Sequence, residues 1–407
     1  MPETQETDVV VVGAGLAGLA AARRLAERGL AAVVLEASDG VGGRVRSDVV
    51  DGVTVDRGFQ LLNPAYPEAR RALDLDALHL RPFVPGVLLV DGDRRRLVAD
   101  PRRRPTAAFR SALDVPGSPV DLARFAAYAV RVTTGDPRSL RDADDETVGE
   151  AWSRFGALTA DLLAPFVTGV VFDDSLTTSR RLVDLLLRSF VRGTPSVPAT
   201  GMQAMSDQLA RGVDLRLGRP VRAVTATSAT TDDATWRARA VVVATDAPAA
   251  AGLLPGLDVP EMRSGTTWWL LADAPGQALT RGDAVLVVEP RRTGPVVNTV
   301  VVSNAAPAYA AHGRALVASN ALGTGADEGD VRAQLSRLYG CDVSGWDTVA
   351  VHRIAGALPA CPPGTSLRKP QSYEGVYVAG DHRDTASIQG ALVSGRRIAD
   401  AVARSVA

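Results

Sequence analysis

Within its first 36 residues the chain spells out a strand, a glycine turn, a helix and a second strand, and this unit constrains the fold more than any other feature. Asp8-Val-Val-Val-Val12 is a β-branched run of the kind buried on both faces of a parallel sheet. Leu19 to Arg28 is rich in helix formers, Gly29 supplies a C-terminal cap, and Ala32 to Leu35 makes the next strand. Between them, Gly13-Ala14-Gly15-Leu16-Ala17-Gly18 sets three glycines at the spacing of a dinucleotide-binding turn. Gly13 permits the tight bend, Gly15 lets the backbone approach a pyrophosphate, and Gly18 lets helix and strand pack closely. The helix N-terminus then offers unpaired N–H groups and a positive dipole end to phosphate. The spacing alone is weak, because a chain with 38 glycines in 407 residues can meet it by chance. Context makes it specific: the turn follows a strand, opens a helix and meets Glu36 at the end of the next strand, where a carboxylate can accept both ribose hydroxyls and repel a 2′-phosphate.

A chain of 407 residues exceeds one ordinary core and implies about two or three domains. With 46% hydrophobic and 22% charged residues it is globular rather than disordered. A net charge of −1 argues against nucleic acid as a partner, since phosphate neutralisation needs a basic field. Cys341 and Cys361 form no disulfide framework, and neither they nor the 4 histidines have metal-ligand spacing, so no metal is expected. Met1 to Asp8 is polar and acidic, the reverse of a targeting segment, and no stretch approaches the ~20 apolar residues of a membrane-spanning helix. The expected setting is cytoplasmic, with peripheral membrane contact left open. Of the 45 basic residues only Lys369 is a lysine, so a mechanism that needs one has a single candidate.

Further along, Asp51-Gly52 and Asp91-Gly92 read as hairpin turns. A helical region extends from about Pro119 to Leu209, with Leu182, Leu185, Leu186, Ser189 and Phe190 at helical spacing. Strand signals return at Val221–Ala223 and Ala240–Ala244. Val285–Val288 and Val296–Val302 read as a hairpin bent at Pro290 and Gly294. Gly375–Ala379 reads as a strand, followed by a Gly380 turn and a helix over about Gly390–Val402. The alternation of α/β segments with other material predicts discontinuous domains. Residues 1–75, 205–255 and 346–407 form a nucleotide-binding domain; 76–204 and 256–345 form a substrate domain with a helical insertion.

Gly42-Gly43-Arg44 adds a second close-approach loop and a guanidinium suited to a diphosphate. Together with Asp56-Arg-Gly58-Phe59-Gln60, Pro220-Val221, Val241-Val-Val-Ala244 and Ala357-Leu-Pro359, it makes the chain resemble the FAD-dependent superfamily of flavin amine oxidases, protoporphyrinogen oxidases and phytoene desaturases. The strongest match is Gly375-Val-Tyr-Val-Ala-Gly380-Asp381 followed by Ser387-Ile388-Gln389-Gly390-Ala391. The resemblance implies an α/β fold: a Rossmann-like FAD-binding domain of the glutathione-reductase type beside a discontinuous mixed α+β substrate domain. It implies that FAD lies against Gly13, Ala14, Gly15, Leu16, Ala17, Gly18, Glu36, Ala37, Gly42, Gly43 and Arg44. Gly58, Phe59 and Gln60 come near its isoalloxazine, Val221 and Ala244 near its adenine half, and Asp381 holds a ribityl hydroxyl. Beyond Gly380, the helix opened by Ser387, Ile388, Gln389 and Ala391 aims its N-terminus at the N1–C2=O edge, where reduced flavin carries negative charge.

Two departures count against amine oxidation. Amine oxidases of this superfamily carry a lysine that holds a water near the flavin, and no lysine occurs before Lys369. They also carry an aromatic residue before the C-terminal helix, where Ser387 stands here. The desaturase and protoporphyrinogen-oxidase branches lack both features. Gly58–Glu68 and Val171–Ser175 look most like bacterial and plastid members of unsettled activity.

The expected function is therefore that of an FAD-dependent oxidase, dehydrogenase or desaturase. It removes hydride from a C–H, C–N or C–C bond of an apolar or conjugated small molecule to flavin N5, with Gln60, Arg353 and His382 as candidate catalytic residues. Only one dinucleotide fingerprint is present, so oxygen or a quinone is the expected electron acceptor rather than NAD(P)H. A reduced-FAD-dependent isomerase of a conjugated substrate and a non-enzymatic FAD-binding protein are the alternatives. Trp268-Trp269 lines an apolar pocket or fills the core. Arg94–Arg96 and Arg102–Arg104 are solvated surface, or they meet an anionic membrane or an acidic substrate.

Overall fold

The computed structural model describes residues 3–100, 102–104, 115–310 and 313–406. Its first sheet has eight strands. Glu3–Val12 lies at the centre, paired in parallel with Ala32–Leu35 on one side and Ala234–Val243 on the other. Asp214–Arg216 extends the parallel array beyond Ala32–Leu35, and Val376–Val378 extends it beyond Ala234–Val243. Val9, Val10 and Val11 are fully buried, as a strand covered on both faces requires. The helix Leu16–Glu27 packs against the C-terminal helix Ile388–Val406. Their backbones come so close that a methyl group on Gly395 would lie 2.2 Å from the Ala17 carbonyl.

The second sheet has seven strands in the order 347–359, 262–272, 315–322, 296–301, 286–288, 86–91 and 94–99. Asp347–Pro359 pairs along nearly its whole length with Met262–Ala272. The domain boundary drawn at residue 346 therefore assigns a strand of this sheet to the nucleotide-binding half. Alternation and β-branched content mark Asp347–Pro359 as a strand but not the sheet it joins.

The Asp51-Gly52 turn forms as expected between Ser47–Val50 and Val53–Asp56. In the second hairpin Asp91 pairs with Arg94, so the loop is Gly92-Asp93, one residue beyond the Asp-Gly pair. Leu286–Val288 and Val296–Val301 pair as predicted. The strand expected at Val221–Ala223 forms later, over Ala223–Thr225.

Residues 115–192 build a helical layer whose core includes Tyr128, Trp152, Phe155, Leu158 and Val167. The run Val148–Val171 is long and apolar enough by length and composition to cross a membrane, which the sequence reading did not anticipate. It is interrupted at Gly156 and by a π-turn over Thr159–Leu163, and its Trp152, Phe155 and Leu158 pack into the helical core. Trp268 and Trp269 are fully buried and do not line the large cavity described below; Trp269 donates its indole N–H to the Asp56 carbonyl at 2.9 Å.

Candidate flavin site and substrate chamber

A single cavity of about 1430 Å³ begins at the C-terminal ends of the parallel strands and continues over the second sheet beneath the helical layer. The crevice beyond parallel strand ends is where doubly wound folds bind their ligands. At the nucleotide end, Gly13, Gly15, Leu16, Ala17, Glu36, Ala37, Gly42, Gly43, Arg44, Val221 and Ala244 all line it.

The glycines do the work assigned to them by steric size. A Cβ on Gly18 would stand 1.9 Å from the Gly13 carbonyl oxygen, so this position brings helix and turn together. A Cβ on Gly15 would meet nothing within 4 Å, because it would project into the cavity. Gly15 also caps the helix Leu16–Glu27 without any side-chain hydrogen bond, leaving the first-turn N–H groups for a ligand. The Gly42 N–H donates to the Ala14 carbonyl at 2.8 Å, which locks the two glycine loops together.

Glu36 is already engaged in holding this loop. One carboxylate oxygen accepts from the Ala14 N–H at 2.7 Å, and the other accepts from the Ser38 N–H and hydroxyl. Ala14 and Gly18 shape the turn from behind rather than line the cavity.

Toward the middle of the cavity, Gly58, Phe59, Gln60, Gly380, Asp381, Ser387, Ile388 and Ala391 converge from three separate chain segments. Arg44 bridges them: its guanidinium donates to Asp381 at 2.6 Å and to the Ala357 carbonyl at 3.0 Å. The Gln60 amide nitrogen donates to the carbonyls of Arg44 and Arg57, while its buried Oε1 has no partner among the described residues. That orphaned acceptor, the open face of Gly15 and the uncapped helix together fit FAD, with phosphates at the Gly13–Gly18 turn and the isoalloxazine end toward Gln60 and Ile388.

Three predicted residues fall elsewhere. Gln389 turns off the cavity face of its helix and accepts from the Glu68 N–H at 3.0 Å. Arg353 is exposed and absent from the lining. The strand alternation explains it: Ile354 and His352 lie on the same sheet face as their cross-strand partners Gly265 and Thr267, and Arg353 points to the other face. His382 is 3% exposed and does not line the cavity, and neither ring nitrogen has a partner among the described residues. Burial pushes its pKa down to about 4, so it is a neutral packing residue at neutral pH.

The sequence reading missed the remainder of the lining. At the nucleotide end it missed Arg219, Arg222, Thr245 and Asp246. Over the second sheet, Phe83, Phe125, Phe166, Phe172, Leu186 and Phe190 make an apolar chamber, with Thr267, Asn298 and Asn320 as its buried polar lining. Leu186 and Phe190, four residues apart on one helix, were legible as a face, although not as a chamber wall. At the rim, Asp100 and Arg102 pair at 2.6 Å.

Comparison with known proteins agrees with this architecture. The chain is 27% identical to hydroxysqualene dehydroxylase of Rhodopseudomonas palustris, with 97% of this chain and 98% of that protein covered. It is 51% identical to putrescine oxidase of Kocuria rosea, but over 69 residues only, 17% of this chain and 14% of that one. A solved structure of a putrescine oxidase double mutant superposes with a TM-score of 0.73 at 18% identity, covering 98% of this chain and 99% of that one. The flavin containing amine oxidoreductase model matches residues 16–403. Nearly the whole chain is thus accounted for by one family: it belongs to the flavin containing amine oxidoreductases and is an FAD-dependent oxidoreductase.

Proposed function

We propose that the substrate is an uncharged, elongated apolar molecule, oxidised or reduced in the chamber over the second sheet. The observation that carries this reading is the chamber wall. Phe83, Phe125, Phe166, Phe172, Leu186 and Phe190 supply its surface, and among the described residues the only charged side chains beyond the flavin end, Asp100 and Arg102, neutralise each other at the rim. A diamine or tetrapyrrole acid placed there would lose hydration without gaining a counter-ion, a cost of several kcal/mol per charge, on the order of magnitude seen for buried ions. A long hydrocarbon gains about 25 cal/mol for each Å² it buries.

The near full-length relative is named for acting on hydroxysqualene, and an oxygenated or conjugated isoprenoid fits the same wall. Bound FAD supplies the two-electron chemistry. The protein excludes water with the aromatic wall, holds the Arg44–Asp381 pair across the middle of the cavity, and places the Gln60 carbonyl oxygen and the N-terminus of Ile388–Val406 beside the reacting centre. We assign the electron acceptor as oxygen or a quinone, because the chain carries one dinucleotide turn. Val130 is 60% exposed and also lines the cavity, so the helix Pro119–Thr134 offers an apolar entry from a membrane surface.

Anaerobic titration of the holoenzyme followed by the flavin spectrum tests the reading. An isoprenoid should perturb the spectrum and putrescine should not. Tight binding of putrescine with no response to any isoprenoid would refute it.

A further inference from the structure

Three polar side chains on adjacent strands cross the floor of the apolar chamber. Thr267, Asn320 and Asn298 are 3%, 2% and 4% exposed, and all three line the cavity. They form one hydrogen-bonded row with a fixed direction. The Phe59 backbone N–H, which can only donate, points at Thr267 Oγ1 at 3.3 Å. The Thr267 hydroxyl proton goes to Asn320 Oδ1 at 2.6 Å. Asn320 then turns its Nδ2 to Asn298 Oδ1 at 2.7 Å.

Each link sets the next, so the row must end on a donor, the Asn298 Nδ2. That nitrogen has no hydrogen-bond partner among the described residues. The helix Ala164–Val171 passes directly over it at Gly169, where an added Cβ would lie 2.0 Å from Nδ2. Only a glycine leaves room there.

Resting on the apolar-substrate reading above, we infer that Asn298 is a specificity-determining residue that donates its amide N–H to an uncharged oxygen on that substrate. A donor held in an apolar wall favours a ligand that brings an acceptor, because a pure hydrocarbon leaves the N–H desolvated and unpaired. The row also fixes where the oxygen sits. Asn298 is two strands away from Thr267, about 10 Å across the sheet from the Gly58–Gln60 edge of the flavin site. The recognised oxygen is therefore remote from the reacting bond, and it sets the register of a long molecule in the chamber.

The test uses holoenzyme and two probes of one length: farnesal, whose aldehyde accepts but cannot donate, and farnesene, its hydrocarbon counterpart. Dissociation constants come from perturbation of the flavin spectrum without oxygen. Wild type should prefer farnesal by about tenfold or more. Asn298→Leu should abolish the preference while leaving farnesene affinity within about threefold. Asn298→Asp, nearly isosteric, replaces the donor by an acceptor and should disfavour farnesal relative to farnesene. The ratio of flavin to protein absorbance shows that each variant retains its fold. If farnesene binds and farnesal has no advantage, or if the advantage survives both substitutions, the inference falls while the apolar chamber stands. If neither probe binds wild type, the apolar-substrate reading fails and takes this inference with it.

Discussion

Asp56→Asn is the substitution whose consequence the structure specifies most closely. The Asp56 carboxylate is fully buried where the first hairpin meets the second sheet. It accepts from the Ser47 hydroxyl, from the Met202 N–H at 2.9 Å and from the Tyr309 hydroxyl at 3.0 Å. Burial pushes its pKa from the ordinary 3.8 up to about 6, and the three donors offset only part of that rise. A carboxyl whose folded pKa lies above its unfolded value gives stability that is complete below the unfolded pKa and lost as pH rises through the folded one. Each unit corresponds to about 1.4 kcal/mol, so at about pH 8 the folded protein bears roughly 3 kcal/mol of ionisation cost that is absent at low pH.

Asparagine can keep the Ser47 and Met202 contacts on its carbonyl oxygen and donate its amide to Tyr309. The tyrosine proton then lacks an acceptor, which costs about 1 kcal/mol. The variant should therefore be more stable than wild type by about 2 kcal/mol near pH 8 and less stable by about 1 kcal/mol near pH 4, with the crossover between them. Urea denaturation of both proteins across this range, each saturated with FAD, measures the difference. A stability difference that does not change with pH would refute the reasoning.

Other outcomes follow from the same geometry. Gly15→Ala, whose methyl enters open space, should fold normally but retain at least about tenfold less FAD, read by gel filtration and visible absorbance. Gly18→Ala, whose methyl meets the Gly13 carbonyl, should lose stability by about 1–3 kcal/mol as well as flavin, and calorimetry separates the two cases. Gln60→Ala removes two hydrogen bonds to the Arg44 and Arg57 carbonyls together with the free acceptor, and should lower turnover by about tenfold or more. Arg353→Ala, at an exposed side chain off the cavity, should leave the rate of flavin reduction within about twofold of wild type.

The nucleotide half was legible because its constraints are local. Gly18 is dictated by the Gly13 carbonyl within the same turn, and Glu36 ends the next strand, so the glycine spacing read with its flanking strands and helix located a site the fold then assembles. The C-terminal Gly380-Asp381 and Ser387–Ala391 segments were legible by resemblance, since their partners lie far away in the chain, Asp381 bonding Arg44 and Gln389 bonding Glu68. Arg353 and His382 were misplaced because polar type says nothing about which face of a strand or turn a residue occupies. The chamber was hidden for a related reason. Thr267, Asn298 and Asn320 sit singly in β-branched runs, separated by tens of residues, and only the order of antiparallel strands brings them into one row. Phe125, Phe166 and Phe190 belong to three different helices, so no window of sequence contains the wall they make.

The most direct test is to purify the full chain and measure the FAD released per polypeptide on denaturation, beside the visible spectrum of the native protein. A yellow protein releasing stoichiometric FAD is the predicted result. Protein that is colourless and takes up no FAD on reconstitution would contradict the assignment of this cavity.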